Sequence, residues 1–402
     1  MSIQGQAVRK TQTAFSTCPG CGHRMEVFFE LPAVPVNSCL LVDTKEEALR
    51  FPRGDIALGF CAGCGFVSNQ AFRPELTTYS GRYEETQAYS ETFNKFHKAL
   101  VVDLIERLQL HGKRVVEIGC GKGEFLAMLC KLGNNHGLGF DPGFDDTRGT
   151  FEPNVDAKVI KGFFGPQHGH ADSDFVCCKM TLEHITDTAK FVDAARGVLR
   201  PSQDSKVFFQ VPEALRILRD CAFEDIYYEH CSYFTAGSLA RLFRSQGFNV
   251  TRLDVAYGEQ YLTIEGAWAN GQFAPPLPVE EPAAQLAGYV ADFNSRFAAK
   301  TAELRSLVET RAAQGPVVLW GSGSKAVSFL RAVQVPGAIE YIVDINPRRH
   351  GHFMPGTGQV IVGPQDLKRI APRTVIAMNA VYREEIARDL ERNGVTTELL
   401  AL

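Results

Sequence analysis

The sequence predicts an α/β protein made of two Rossmann-like units, preceded by a small four-cysteine domain. Three observations carry that expectation. Apolar strand-like runs alternate with helical patterns over most of the chain, the signature of a mainly parallel sheet. A strand–glycine loop–helix pattern occurs twice, at "RVVEIGCGKGEFL" and at "PVVLWGSGSKAVSFL". Two C-x2-C pairs precede both. The 402 residues allow two or three domains with sizeable cores. With 45% hydrophobic and 22% charged residues this is an ordinary globular composition. A formal charge of −4 gives no general reason to expect a polyanionic partner.

Taken in order, residues 1–75 hold Cys18, Cys21, Cys61 and Cys64, each pair followed by a glycine (Gly22, Gly65). Four thiolates satisfy the tetrahedral preference of Zn²⁺ and leave no open position, so a structural zinc site is expected; the alternative is two unrelated pairs. Eleven cysteines without an export signal suit a reducing compartment, and a cytoplasmic protein is expected. No run of about 18 apolar residues suggests a membrane span. Residues 76–270 open with a Tyr-rich segment. Phe93, Phe96, Leu100, Val101 and Ile105 then recur at helical spacing. The first α/β unit follows. Residues 271–315 hold a proline-rich linker, "NGQFAPPLPVEEPAA", and a pattern read as one long amphipathic helix. The second α/β unit occupies residues 316–402.

The first glycine loop reads E-x-G-x-G-x-G: Glu117, Gly119, Gly121, Gly123. Asp141 and Pro142 end the next strand. This pattern points to S-adenosylmethionine (SAM): glycines let the backbone approach the methionine part, and a strand-ending acid can hold the ribose hydroxyls. Glu117 is placed to fix the loop and the cofactor's amino end. A nicotinamide fold would want G-x-G-x-x-G, and no Walker motif is present. In "CKMTLEHI", Glu183 and His184 read as structural rather than catalytic. The second loop does match G-x-G-x-x-A (Gly321, Gly323, Ala326), with Asp344 beyond it. A dinucleotide site and a scaffold with Lys325 facing an anionic ligand are both open there.

The stretch "IYYEHCSYFT" places Tyr227, Glu229 and His230 together with further rings. Read alone it is either a catalytic cluster or a packed junction. With "CPGCG", "CAGCGFVSN", "VVEIGCGKGEFL", "IYYEHCSYF", "GSGSKA", "VDINPRRHGHFMPGT" and "MNAVYREEI", the order of parts resembles the C-methyltransferases of deoxysugar biosynthesis, which act on nucleotide-linked ketosugars. The resemblance implies a class I SAM-methyltransferase domain between a zinc-binding domain and a C-terminal Rossmann-like domain. It implies His230 as base, Glu229 orienting it or the sugar, and Tyr227 bonding the substrate oxygen. Tyr79 and Tyr83 would line the cleft. Tyr228 departs from relatives that carry histidine there. The expected partner is a small molecule, a sugar nucleotide. The alternatives are an O- or N-methyltransferase on a small metabolite and, against the acidic charge, a zinc-ribbon RNA methyltransferase; nucleic acid is not the expected partner.

Overall fold

The computed structural model describes residues 16–77, 82–145, 151–168, 172–202, 204–269, 271 and 273–402. Two antiparallel strands, β1 (Met25–Pro35) and β2 (Arg53–Cys61), form the N-terminal sheet, with the short helix α1 (Lys45–Leu49) between them. Strand β3 (Val67–Asn69) adds to β2. Val34, Phe29 and Leu31 of β1 turn inward, and the opposite face carries charge.

The central unit begins with helix α2 (Glu91–Leu108), where Phe93, His97, Val101, Leu104 and Ile105 form the buried stripe. Ser90 caps it, and Glu385 from the C-terminal unit accepts from Ser90 Oγ and from the Glu91 and Thr92 amides. A carboxylate at a helix N-terminus is favourable, so this cap also ties two units together. There follow β4 (Arg114–Ile118), α3 (Glu124–Gly133), β5 (His136–Phe140), β6 (Ala157–Ile160), β7 (Phe175–Lys179), α4 (Thr188–Val198), β8 (Lys206–Pro212) and α5 (Ala214–Asp220). A two-residue strand, β9 (Ser232–Tyr233), leaves this unit and pairs with β3 of the N-terminal sheet. Helix α6 (Ala236–Ser245) and the antiparallel pair β10 (Phe248–Ala256) and β11 (Tyr261–Trp268) complete the unit. The sheet order is β10-β11-β8-β7-β4-β5-β6. Its central strands are covered on both faces, hence the near-continuous apolar runs "RVVEI" and "DFVCCK". The order in which successive strands are added reverses between the parallel neighbours β4 and β7, and ligands in such sheets bind outside the carboxyl ends at that switch point.

The pattern read as one long helix is two, α7 (Ala283–Ala291) and α8 (Phe293–Ala312), meeting at Asp292. Phe293 there is fully buried, edge-on to Phe28 and Phe29 of β1, at 5.7 and 5.2 Å. A straight helix would continue past that contact. The last unit has β12 (Val317–Trp320), α9 (Ser324–Val333), β13 (Ile339–Val343), β14 (Val360–Val362), α10 (Leu367–Ile370), β15 (Thr374–Ala377), α11 (Arg383–Arg392) and β16 (Glu398–Ala401). Its sheet, β14-β13-β12-β15-β16, is parallel throughout. One apolar core runs from Phe29 and Ile56 through Phe223 and Tyr228 to Leu319 and Phe329, so N- and C-terminal units pack as one body. Among the described residues no helix is long and apolar enough to cross a membrane.

Candidate active site

The loop after β4 is a cradle. Gly119, Gly121 and Gly123 hold φ of +70°, +53° and +78°, the left-handed region that side chains disfavour. A Cβ on Gly119 would also collide with the Thr181 side chain. Asp141 follows β5. Its carboxylate accepts from the amides of Gly121 (2.9 Å) and Gly143 (2.7 Å), which fixes the loop, while burial raises its pKa. Glu117 is buried at the end of β4, and burial raises its pKa too. Its Oε2 has no hydrogen-bond partner among the described residues. A free acceptor beneath a glycine cradle fits the ammonium end of SAM. Pro142 lines the same cavity.

That cavity, of about 620 Å³, runs from the cradle past the end of β7 to the loops of the C-terminal unit. Its size suits a cofactor with a second small molecule. On its wall residues 226–231, from the stretch "IYYEHCSYFT", form a loop that leads into β9. Tyr227 and His230 face the cavity, their rings 4.0 Å apart. His230 is buried, and burial, with His184 and Lys325 nearby, holds its pKa well below the usual histidine value. Its Nε2 lies 3.9 Å from Glu183 Oε1. Both Glu183 oxygens lack a hydrogen-bond partner among the described residues, and burial raises that carboxyl to about 8. His184 packs edge-on to His230 at 4.9 Å, its Nδ1 3.0 Å from the Glu229 carbonyl oxygen. Donor atoms of Glu183, His184 and His230 all lie within 4.8 Å of one another. The Glu183–His184 pair, read as structural from the sequence, lines the same cavity beside His230.

Glu229 faces the other way. Its carboxylate accepts from Asn37 Nδ2 (3.0 Å), the Ser38 amide (2.8 Å) and Ser38 Oγ (2.5 Å). On the other side of His230, the Cys231 carbonyl accepts from the Asn69 amide at 2.9 Å. Both neighbours of His230 are thus fastened to the N-terminal unit. Tyr228 is wholly buried, and its hydroxyl accepts from the Arg73 amide at 2.8 Å, a packing role. Tyr83 lines the cavity near the cradle, and its carbonyl accepts from Lys122 at 3.2 Å. Tyr79 lies outside the described residues.

At the far end, Lys325 reaches the cavity wall, but Asp225 holds its ammonium at 2.5 and 2.6 Å. Burial lowers its pKa to about 7. Asp344 accepts from the Ser322 amide (2.9 Å), Ser322 Oγ (2.5 Å) and the Asn346 amide (2.8 Å). That carboxylate braces its own loop as Asp141 does, with a further bond from Ser322 Oγ. Arg349, which sequence reasoning passed over, lines the cavity and donates to the Ser322 carbonyl at 3.0 Å.

The four cysteines converge. Cys18 and Cys64 sulfurs lie 3.5 Å apart, and those of Cys21 and Cys61 3.4 Å; all four lie within 4.8 Å of one another. Tetrahedral zinc thiolates place sulfurs roughly 3.8 Å apart. Each pair makes the same turn, Gly22 N to Cys18 O and Gly65 N to Cys61 O, both 2.8 Å. The donor set fits the ion.

Strand order, glycine cradle and acid-ended second strand define a SAM-dependent methyltransferase. Residues 93–253 match the family described as a methyltransferase domain, and 279–396 match the C-methyltransferase C-terminal domain. The chain is a SAM-dependent methyltransferase whose last part matches the C-methyltransferase C-terminal domain. It is 26% identical to the C-methyltransferase NovU of Streptomyces niveus over 397 residues, 92% of this chain and 90% of that one. Among solved structures, the 1,6-didemethyltoxoflavin-N1-methyltransferase of Burkholderia thailandensis aligns at TM-score 0.36 and 16% identity, over 43% of this chain and 78% of that one. The magnesium protoporphyrin IX methyltransferase of Synechocystis PCC 6803 aligns at 0.35 and 13%, over 44% and 84%. Neither structural likeness bears on the acceptor.

Proposed function

We propose that this enzyme methylates the carbon alpha to a ketone in a nucleotide-linked ketosugar, with His230 as general base. The observation that carries the reading is a buried His230, held neutral and tilted against the Tyr227 ring, at the wall of a cavity shared by the cofactor cradle and the C-terminal unit. SAM supplies an electrophilic methyl group. Carbon becomes a nucleophile only when its proton is removed next to a carbonyl, and a neutral imidazole accepts that proton. The C–H pair of electrons passes into the enolate, and His230 becomes imidazolium. The Tyr227 hydroxyl, kept protonated by burial, donates to the enolate oxygen. Glu183, not Glu229, is the carboxyl beside the charge that forms on His230. Glu229 positions the loop, and Tyr83 belongs to the cleft. Lys325, shared with Asp225, and Arg349 face the substrate's phosphates. Zn²⁺ at the four cysteines is structural, since no open position remains for chemistry.

The test uses S-adenosylhomocysteine (SAH) in place of SAM, with nucleotide ketosugars in D2O. Wild type should exchange the alpha proton without methyl transfer, and His230→Ala should lose at least about 100-fold of that exchange while still binding SAH. Equal exchange in the two proteins would remove His230 from the role. Exchange with no ketosugar, but SAH formation from SAM with another small molecule, would replace the substrate class. Because the His230 pKa is lowered, the reactive neutral form persists below the usual value. kcat/KM should therefore show no acid limb near pH 6.5.

A further inference from the structure

Lys179 ends β7 beside β4, at the switch point of the sheet, and its side chain lines the cavity with Glu117 and Gly119. It is an odd residue to find there. Among the described residues no carboxylate lies within ion-pairing distance of its ammonium. Instead Lys179 Nζ donates to His97 Nε2 at 2.7 Å and sits 4.1 Å over the face of the Phe125 ring. His97 is itself clamped, stacked on Phe125 at 5.2 Å and tilted against Phe93 at 5.1 Å. Burial and the lysine charge drive the His97 pKa down to about 3, so it is a neutral acceptor at any working pH. These contacts aim the ammonium, and the Glu117 carboxyl supports its charge only through space, in a place where burial already disfavours it. A buried cation with no carboxylate in contact among the described residues, open to a ligand cavity, marks where the ligand's anion belongs.

We propose that Lys179 is the counter-ion for the alpha-carboxylate of SAM, with Glu117 taking its ammonium. The cofactor's amino-acid end is a zwitterion, and its carboxylate is its one anionic group. Glu117 and Lys179 stand at the ends of adjacent strands and act on each other through space, and Glu117 Oε2 has no hydrogen-bond partner among the described residues. A charge-assisted contact of this kind discriminates strongly, because removing the ligand carboxylate leaves the lysine stranded. His97 acts through Lys179 and is a positioning residue.

The experiment measures binding alone, by calorimetry, and needs no acceptor. Three ligands are compared: SAH, its decarboxylated analogue S-adenosyl-3-thiopropylamine, and 5′-methylthioadenosine, which lacks the whole amino-acid end. Wild type should bind SAH about 30-fold tighter than the decarboxylated analogue, the scale of one charge-assisted hydrogen bond. Lys179→Met should lower SAH affinity by a similar factor and leave 5′-methylthioadenosine unchanged, which also shows that the pocket is intact. Lys179→Arg should restore most of the loss. Equal affinity of wild type for SAH and the decarboxylated analogue overturns the proposal whatever the variants do. So does a Lys179→Met protein that weakens all three ligands alike, since the lysine would then be holding the fold.

Discussion

At the end of β5, Asp141 takes the amides of Gly121 and Gly143; at the end of β13, Asp344 takes those of Ser322 and Asn346. The two Rossmann-like units are thus wired alike, and their loops align as "VVEIGCGKG" and "VVLWGSGSK". They differ in what is left over. In the first, Glu117 keeps an unpartnered oxygen, and three left-handed glycines leave the loop bare. In the second, Leu319 stands where Glu117 would, Lys325 stands where Gly123 would, and Ser322 Oγ adds a further bond to Asp344. Arg349 then lies across Ser322. The lesson is that a nucleotide-loop pattern signals a site only where its polar groups are not already satisfied by the protein.

Substitutions can break that contrast. The largest effect is expected from Gly119→Ala, where left-handed φ and the Thr181 clash together should cost on the order of 100-fold in SAH affinity, read by calorimetry. Asp141→Asn should cost about tenfold in SAH affinity, the value of a charge-assisted bond. Asp344→Asn should leave SAH affinity intact and instead lower the melting temperature, through about 1–2 kcal/mol of lost loop bracing. A matching loss of SAH affinity in the second unit would erase the distinction. The pH dependence sharpens it further. Burial raises the Asp141 pKa, so its ionised form gives way to the acid at a higher pH than for an ordinary aspartate. SAH affinity should accordingly weaken on acidification before that range is reached, and Asp141→Asn should remove this component. The smallest effect is expected at Gly323, which has φ −81° and nothing within 4 Å of a Cβ: Gly323→Ala should be silent in both binding and melting.

What the sequence made legible was local. The cysteine pairs and the first glycine loop are motifs of a few residues whose geometry is fixed by backbone turns, so spacing alone exposes them. The alternation of strands and helices is likewise a short-range signal. The partners of charged groups were not legible, because they are set by packing between distant segments. Glu229 beside His230 suggested a dyad, yet Glu229 bonds Ser38 and Asn37, while Glu183 approaches the histidine. Lys179 and His97 are separated by 82 positions and read as unrelated until α2 lies against β7. The break at Asp292 was hidden for the same reason: the helical period continues through it, and only the pocket around Phe28 and Phe29 requires Phe293 to turn.

The strand β9 is only two residues long, yet it joins the N-terminal sheet two residues after His230. With Glu229 moored to Ser38 and Cys231 to Asn69, the proposed base hangs from the N-terminal unit on both sides. The cysteine pairs flank the same sheet, Cys61 ending β2 and Cys64 standing three residues before β3. With zinc at the four cysteines as proposed, a chain built this way would feel metal starvation as a loss of turnover rather than a loss of cofactor. With the sulfurs emptied, the cradle at β4 would still take SAM, but the proton acceptor would have lost its scaffold, leaving a loaded enzyme that idles.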